Sequence, residues 1–157
     1  MSGPAHPPRP PCLLRWILAF VAVAGAVGLG ACGAAAPDRE PGTEVIAFGA
    51  AVYQANCATC HGVSGAGQLN WQSRQADGTL PAPPHDASGH TWHHPDAVLL
   101  DIIRRGGEAV YGGAGLRSGM PAFGGQLTAE EIDAVLAYIK TLWGDTEREY
   151  QERLPEQ

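Results

Sequence analysis

The segment Cys57-Ala58-Thr59-Cys60-His61 restricts the fold more than any other feature of the chain. Two cysteines separated by two residues, with a histidine directly after the second, form the attachment pattern of c-type haem. The spacing has a physical reason. Two thiols three positions apart reach the two vinyl groups of one macrocycle, and the adjacent imidazole then falls beneath the iron. A chain that carries such a group makes it part of the core. Two other uses of paired cysteines fit poorly. Structural zinc takes four ligands, commonly from a second cysteine pair, and the two remaining cysteines, Cys12 and Cys32, lie in a different region. A thioredoxin-like disulfide belongs in a βαβ setting, whereas the residues around Cys57 read as helix. The expected cofactor is therefore one covalent haem c, held by Cys57 and Cys60, with His61 on the iron.

Composition divides the 157 residues into four parts. Residues 1–31 read as an export signal or membrane anchor, 32–43 as a lipidated cysteine with a flexible tether, 44–143 as the haem-bearing domain and 144–157 as a charged tail. Arg9 and Arg15 precede Trp16–Ala36, a run without a charged residue, as in the first two regions of an export signal. The run contains Leu29-Gly30-Ala31-Cys32, which resembles the lipobox of bacterial lipoproteins, and that resemblance implies lipidation at Cys32. An uncleaved transmembrane helix is the competing reading, since 18 or more apolar residues suffice to span a bilayer. A freely soluble exported domain is the third. The first two place the folded part outside the cytoplasm on a tether, in the periplasm or on the outer face of the cytoplasmic membrane. Gly33–Gly42, rich in Ala, Pro and Gly, reads as that tether.

The folded part is acidic: residues 33–157 hold 16 acids against 8 bases, and Lys140 is the single lysine. A surface without a basic cluster argues against nucleic acid and against anionic lipid headgroups as ligands.

The iron needs a second axial ligand or an open position. Met120, in Gly119-Met120-Pro121-Ala122-Phe123, is the one methionine after the N-terminal region. Here the chain resembles the class I cytochromes c. That family has a helix leading into C-x-x-C-H-G, a distal methionine often followed by proline, and a closing amphipathic helix. The corresponding residues are Val45–Ala58 with Gly62 after the histidine, Met120-Pro121, and Thr128–Leu142. The resemblance implies an all-α cytochrome c fold, three to four helices around the attached haem, with His61 and Met120 as axial ligands. A thioether favours ferrous iron and raises the potential relative to bis-histidine ligation.

Helical signals support that architecture. Thr128 and Glu131 form a capping box, and Ile132, Val135, Leu136, Ile139 and Leu142 follow at helical spacing. Gly49 in mid-helix costs stability relative to alanine, which points to a packing reason; the family resemblance implies that the terminal helices cross closely there, with Tyr138 as a candidate contact. Pro95 opens a middle helix, lined by Val98, Leu99, Ile102 and Ile103, and Gly106-Gly107 are expected to stop it. The glycine-rich stretches Gly62–Gly67 and Tyr111–Gly119 are expected to wrap one haem edge and to deliver Met120.

Four of the six histidines fall in His85–His94, within Pro83-Pro84-His85-Asp86-Ala87-Ser88-Gly89-His90-Thr91-Trp92-His93-His94-Pro95. His85, His90, Trp92, His93 and His94 are candidates for haem-propionate contacts, which the family resemblance implies for this stretch. That structural reading is the better supported; a second metal site, because imidazole suits copper and zinc, and competition of His85 for the iron are the alternatives. Three functions follow. The first is an electron carrier, not itself an enzyme, passing single electrons between membrane or periplasmic redox partners. The second is a haem sensor or peroxidase subunit, which needs an open iron. The third is a copper-handling protein that uses the histidine cluster. For a carrier, Ala58, Thr59, Ala122 and Phe123 are the expected docking contacts near the haem edge.

Overall fold

The structure is a computed structural model, and it describes residues 41–155. Within that range the chain is helical. α1 is Thr43–Asn56, α2 Ala58–His61, α3 Asp96–Arg105, α4 Gly107–Tyr111, α5 Ala129–Lys140 and α6 Asp145–Glu152. Two single-turn 3₁₀ segments lie at Thr91–His93 and Gly112–Ala114. Two short strands, β1 (Thr79–Leu80) and β2 (Arg117–Ser118), pair in parallel. The all-α expectation holds, and the arrangement is that of the cytochrome c fold. Trp16–Ala36 and Cys32 lie outside the described residues. Among those described, no helix is long and apolar enough to cross a membrane.

α1 and α5 form the frame. Val52 and Tyr53 of α1 pack with Ile132, Val135, Leu136 and Ile139 of α5, all buried, and Tyr53 is fully so. Their crossing depends on Gly49. A Cβ at that position would overlap the Ala134 carbonyl oxygen and come within 3.1 Å of Tyr138 Cβ. The mid-helix glycine thus lets two backbones touch, and Tyr138 is beside it as expected. α5 begins as its sequence suggests. Thr128 Oγ1 accepts from the Glu131 amide at 3.2 Å, and Glu131 Oε2 accepts from the Thr128 amide at 2.8 Å.

α3 closes the third side with Leu99 and Ile103 buried. Pro95 sits at its N-cap with extended backbone, where a missing N–H costs nothing. Gly106 ends it at φ 82°, as expected. Gly107 does not share that role: it starts α4, because the positive φ is needed at one residue only and the chain then resumes helical geometry.

The segment after Gly144 departs from its reading as a charged tail. Asp145–Glu152 form α6, which docks on the 91–96 segment. Gln151 is buried and donates to Asp96 Oδ1 at 2.5 Å and to the His94 carbonyl at 3.3 Å. Arg148 donates to the Trp143 carbonyl at 2.6 Å.

The crossing yields a stability prediction. Overpacking a close contact costs typically about 1–3 kcal/mol, which outweighs the roughly 1 kcal/mol that alanine gains over glycine within a helix. Gly49→Ala is expected to lower the thermal midpoint by several degrees. Gly113→Ala, where a Cβ meets nothing within 4 Å, is expected to leave it almost unchanged. Calorimetry of both variants checks the pair.

Candidate haem-binding site

The C-x-x-C-H residues straddle a break between two helices. α1 ends at Asn56, Cys57 takes φ −111° and ψ −35°, and α2 restarts at Ala58 and runs to His61. Cys60 is exposed and Cys57 half-buried. Burial, assisted by the neighbouring Cys60, pushes the Cys57 thiol up to about 11. Redox-active C-x-x-C pairs work by the opposite shift, a lowered thiol pKa. The environment therefore disfavours a thioredoxin-like role.

His61 is buried, and its Nδ1 lies 2.9 Å from the Pro83 carbonyl oxygen. A carbonyl can only accept, so Nδ1 carries the hydrogen and the Nε2 lone pair is free. Burial also lowers the His61 pKa, against the opposing pull of that hydrogen bond, and so favours neutral imidazole. A metal-binding histidine is oriented in just this way, through the nitrogen that does not bind.

Pro83 is held in place by a strap. The Gly67 amide donates to the His61 carbonyl at 2.7 Å, the Gln68 amide to Ala82 at 2.9 Å, and the His85 amide to Gly65 at 2.6 Å. A Cβ at Gly67 would collide with the Pro84 nitrogen, so Gly67 lies directly against the Pro83-Pro84 backbone. Tyr53 Oη closes the strap from α1, donating to the Gly62 carbonyl at 3.1 Å.

Met120 is half-buried and packs on the same hydrophobic cluster that Cys57 borders. Its amide donates to Ser118 Oγ at 3.2 Å, and its carbonyl accepts from the Gly107 amide at 3.2 Å. Downstream, the Phe123 and Gly124 amides donate to the Ile103 and Arg104 carbonyls, both at 3.0 Å, which ties this stretch to the end of α3. Phe123 is buried, while Ala122, Thr59 and Cys60 are exposed; Ala58 is buried.

The five residues picked from the histidine segment do not converge. His85 is buried and stacks on His61, with ring centroids 3.8 Å apart and planes 17° apart. His90 stacks on Trp71 at 5.1 Å, and the His94 ring stands edge-on to His90 at 5.6 Å. Trp92 and His93 lie against Tyr150 of α6, each at 5.3 Å. Among the described residues, no group of three or more His, Cys, Asp or Glu side chains is placed to hold a metal ion. Burial is the main cause lowering the pKa of His85, His90 and His94, with neighbouring histidines adding to it.

Among the described residues, two buried nitrogens have no partner, His85 Nδ1 and Trp92 Nε1. A bare buried polar atom costs about 1–3 kcal/mol, so each marks a place where another polar group belongs. These atoms fit a haem together with the rest of the donor set: a neutral imidazole with Nε2 free, a soft thioether, two thiols on one turn, and nitrogens for a carboxylate-bearing edge. Sequence reasoning missed the Pro83 carbonyl as the partner of His61. It also missed Trp143, whose Nε1–H donates to the His85 carbonyl at 2.9 Å. The available signals were the consecutive prolines, which force extended backbone with exposed carbonyls, and a tryptophan at the end of the closing helix.

Residues 44–139 match the sequence model of a family described as cytochrome c oxidase, cbb3-type, subunit III. The chain is also similar to the cbb3-type cytochrome c oxidase subunit FixP of Sinorhizobium medicae (strain WSM419). The two are 30% identical over 97 residues, which cover 62% of this chain and 30% of the relative. The chain thus matches less than a third of that protein's length. The helical frame, the C-x-x-C-H turn and a family match over more than half of the sequence lead to one assignment: the chain belongs to the cbb3-type cytochrome c oxidase subunit III family of c-type cytochrome domains.

Proposed function

We propose that residues 44–143 form a monohaem electron-transfer domain, with Cys57 and Cys60 as thioether attachments and His61 and Met120 as axial ligands. The observation that carries this reading is the hydrogen bond from His61 Nδ1 to the Pro83 carbonyl, which leaves Nε2 free on the C-x-x-C-H turn. Haem c, when bound, supplies a one-electron couple. The chain's own residues do the rest. Pro83 and the strap behind it fix the imidazole plane, so that little rearrangement accompanies a change of charge. Phe123, Ile103 and Leu99, buried in the cluster that Met120 packs against, would keep water from the centre. Met120 supplies a thioether that favours the reduced state. Two firm ligands suit a carrier better than a sensor or peroxidase, which needs an open iron.

The domain is proposed to be exported and held at the membrane through residues 1–31 and a lipidated Cys32, with residues 32–43 as a tether. The relative is named as a subunit of a cytochrome c oxidase. A membrane oxidase or reductase of that chemistry is the proposed partner class, with the electron donor drawn from membrane or periplasmic proteins. Anchoring both proteins in one membrane raises effective concentration, so charge steering is not needed. Docking through exposed Thr59 and Ala122 fits a chain with a single lysine.

Three outcomes are expected. Met120→Ala lowers the reduction potential, removes the weak sulfur-to-iron absorption band of the oxidised protein, and opens the iron to carbon monoxide; an unchanged spectrum and potential would assign the sixth position to another residue. Cys32→Ser abolishes lipid labelling and N-terminal processing, whereas unchanged fractionation with an intact N-terminus would establish an uncleaved helix. Steered association changes by about 10- to 1000-fold and fades with salt. Transfer to the membrane partner is therefore expected to vary only a few-fold between low and physiological salt, and a steep fall would mean that the acidic residues guide docking.

A further inference from the structure

The stretch that delivers Met120 is poorly equipped to hold its own shape. Gly112-Gly113-Ala114-Gly115-Leu116-Arg117-Ser118-Gly119 contains four glycines and buries none of its side chains fully. Glycine loses more conformational freedom on ordering than any other residue, so this stretch must be ordered from outside. Part of the order comes from α4 and part from a separate loop, residues 74–80, which lies in sequence between the C-x-x-C-H turn and Pro83.

The connections are specific. Arg74 bridges the two loops with one guanidinium: Nη1 donates to the Gly78 carbonyl at 2.9 Å and Nη2 to the Gly115 carbonyl at 3.1 Å. Arg117 reaches back in the opposite direction, its Nη1 donating to the Asp77 carbonyl at 2.6 Å. Between these contacts β1 and β2 pair, Thr79 with Arg117 and Leu80 with Ser118. Asp77 braces its own loop by accepting from the Thr79 amide at 2.9 Å and the Thr79 hydroxyl at 2.7 Å. The chain of contacts then runs to the methionine. Ser118 receives the Met120 amide on Oγ, its own amide donates to Glu108 Oε2 at 2.9 Å, and a Cβ at Gly107 would overlap its hydroxyl. Ser118 is thus wedged between α4 and the methionine backbone, while its neighbour Arg117 is tied to loop 74–80.

We propose that loop 74–80 is a latch on the methionine loop, with Arg74 and Arg117 as positioning residues that keep Met120 at the sixth position and set how easily an outside ligand displaces it. The proposal rests on Met120 being an iron ligand. Neither arginine touches the site itself. They act through backbone carbonyls at Gly115 and Asp77, and the effect reaches Met120 through the strand pair and Ser118.

The test uses full-length oxidised holoprotein titrated with imidazole, with the sulfur-to-iron band as the readout of displacement. Arg74→Ala and Arg117→Ala are each expected to raise the apparent imidazole affinity roughly 2- to 10-fold, the range set by losing one net hydrogen bond. The double variant should exceed either. Arg153→Ala, at the exposed end of α6, should match the wild type. A double variant with wild-type imidazole affinity overturns the latch. Met120→Ala in the same series separates the two ideas: it should bind imidazole far more tightly, and if it does not, the ligand assignment fails and the latch with it. Amide exchange of the wild-type holoprotein gives a second reading that needs no variant. The Thr79, Ser118 and Met120 amides should share one opening rate, and independent rates would overturn the proposal.

Discussion

The hydrogen bond from His61 Nδ1 to the Pro83 carbonyl joins two stretches of chain that are 22 residues apart. Several contacts near the C-x-x-C-H turn support that bond. A proline has no amide of its own to satisfy, and its restricted backbone keeps the carbonyl pointed one way. Gly67 lets the strap lie flat against the prolines, and Tyr53 holds the strap to α1. Since the imidazole is buried, an alternative orientation would leave Nδ1 bare in an apolar setting, at a cost of about 1–3 kcal/mol. One backbone carbonyl thus settles the tautomer, the ring plane and the free nitrogen together.

Apolar burial dominates the energetics elsewhere, with charge in a supporting role. Fully burying a large aliphatic or aromatic side chain contributes about 1.5–3 kcal/mol, and Tyr53, Ile132 and Val135 are each almost wholly buried. The Arg104–Asp133 and Arg105–Asp101 pairs are exposed on both sides and belong to a class worth about 0–1 kcal/mol. Lys140–Asp96 is different in consequence more than in strength. It is 2.7 Å long and partly sheltered, and Asp96 also accepts from Gln151, so a single carboxylate joins α3, α5 and α6.

The parts of the fold that were legible in the sequence are those written in side chains. α5 announced itself through Thr128, Glu131 and a regular apolar stripe, and Gly49 stood out because a glycine there has no local justification. The expected Gly49–Tyr138 contact is present. What stayed illegible was written in backbone or in mixed surfaces. The Pro83 carbonyl carries no side-chain signature, and the stacking of His85 on His61 needs the strap geometry to bring the rings together. Clustering of histidines in sequence suggested a shared site. The turn at Thr91–His93 instead sends His93 toward α6, while His90 faces Trp71. α6 escaped notice because its composition is that of a solvated segment, with Tyr150 as the only aromatic between Asp145 and Glu152.

That last helix bears on where the domain ends. Similarity to the family stops at residue 139, in the final turn of α5. The indole that supports the His85 carbonyl and the glutamine that joins Asp96 to His94 both lie past that point. A boundary drawn by homology would cut between the site and part of its own scaffolding. The contacts that surround this site accordingly extend past the matched residues, at least through Gln151. Substitutions after residue 139 would then reach the surroundings of His85 and Asp96 without altering a motif residue.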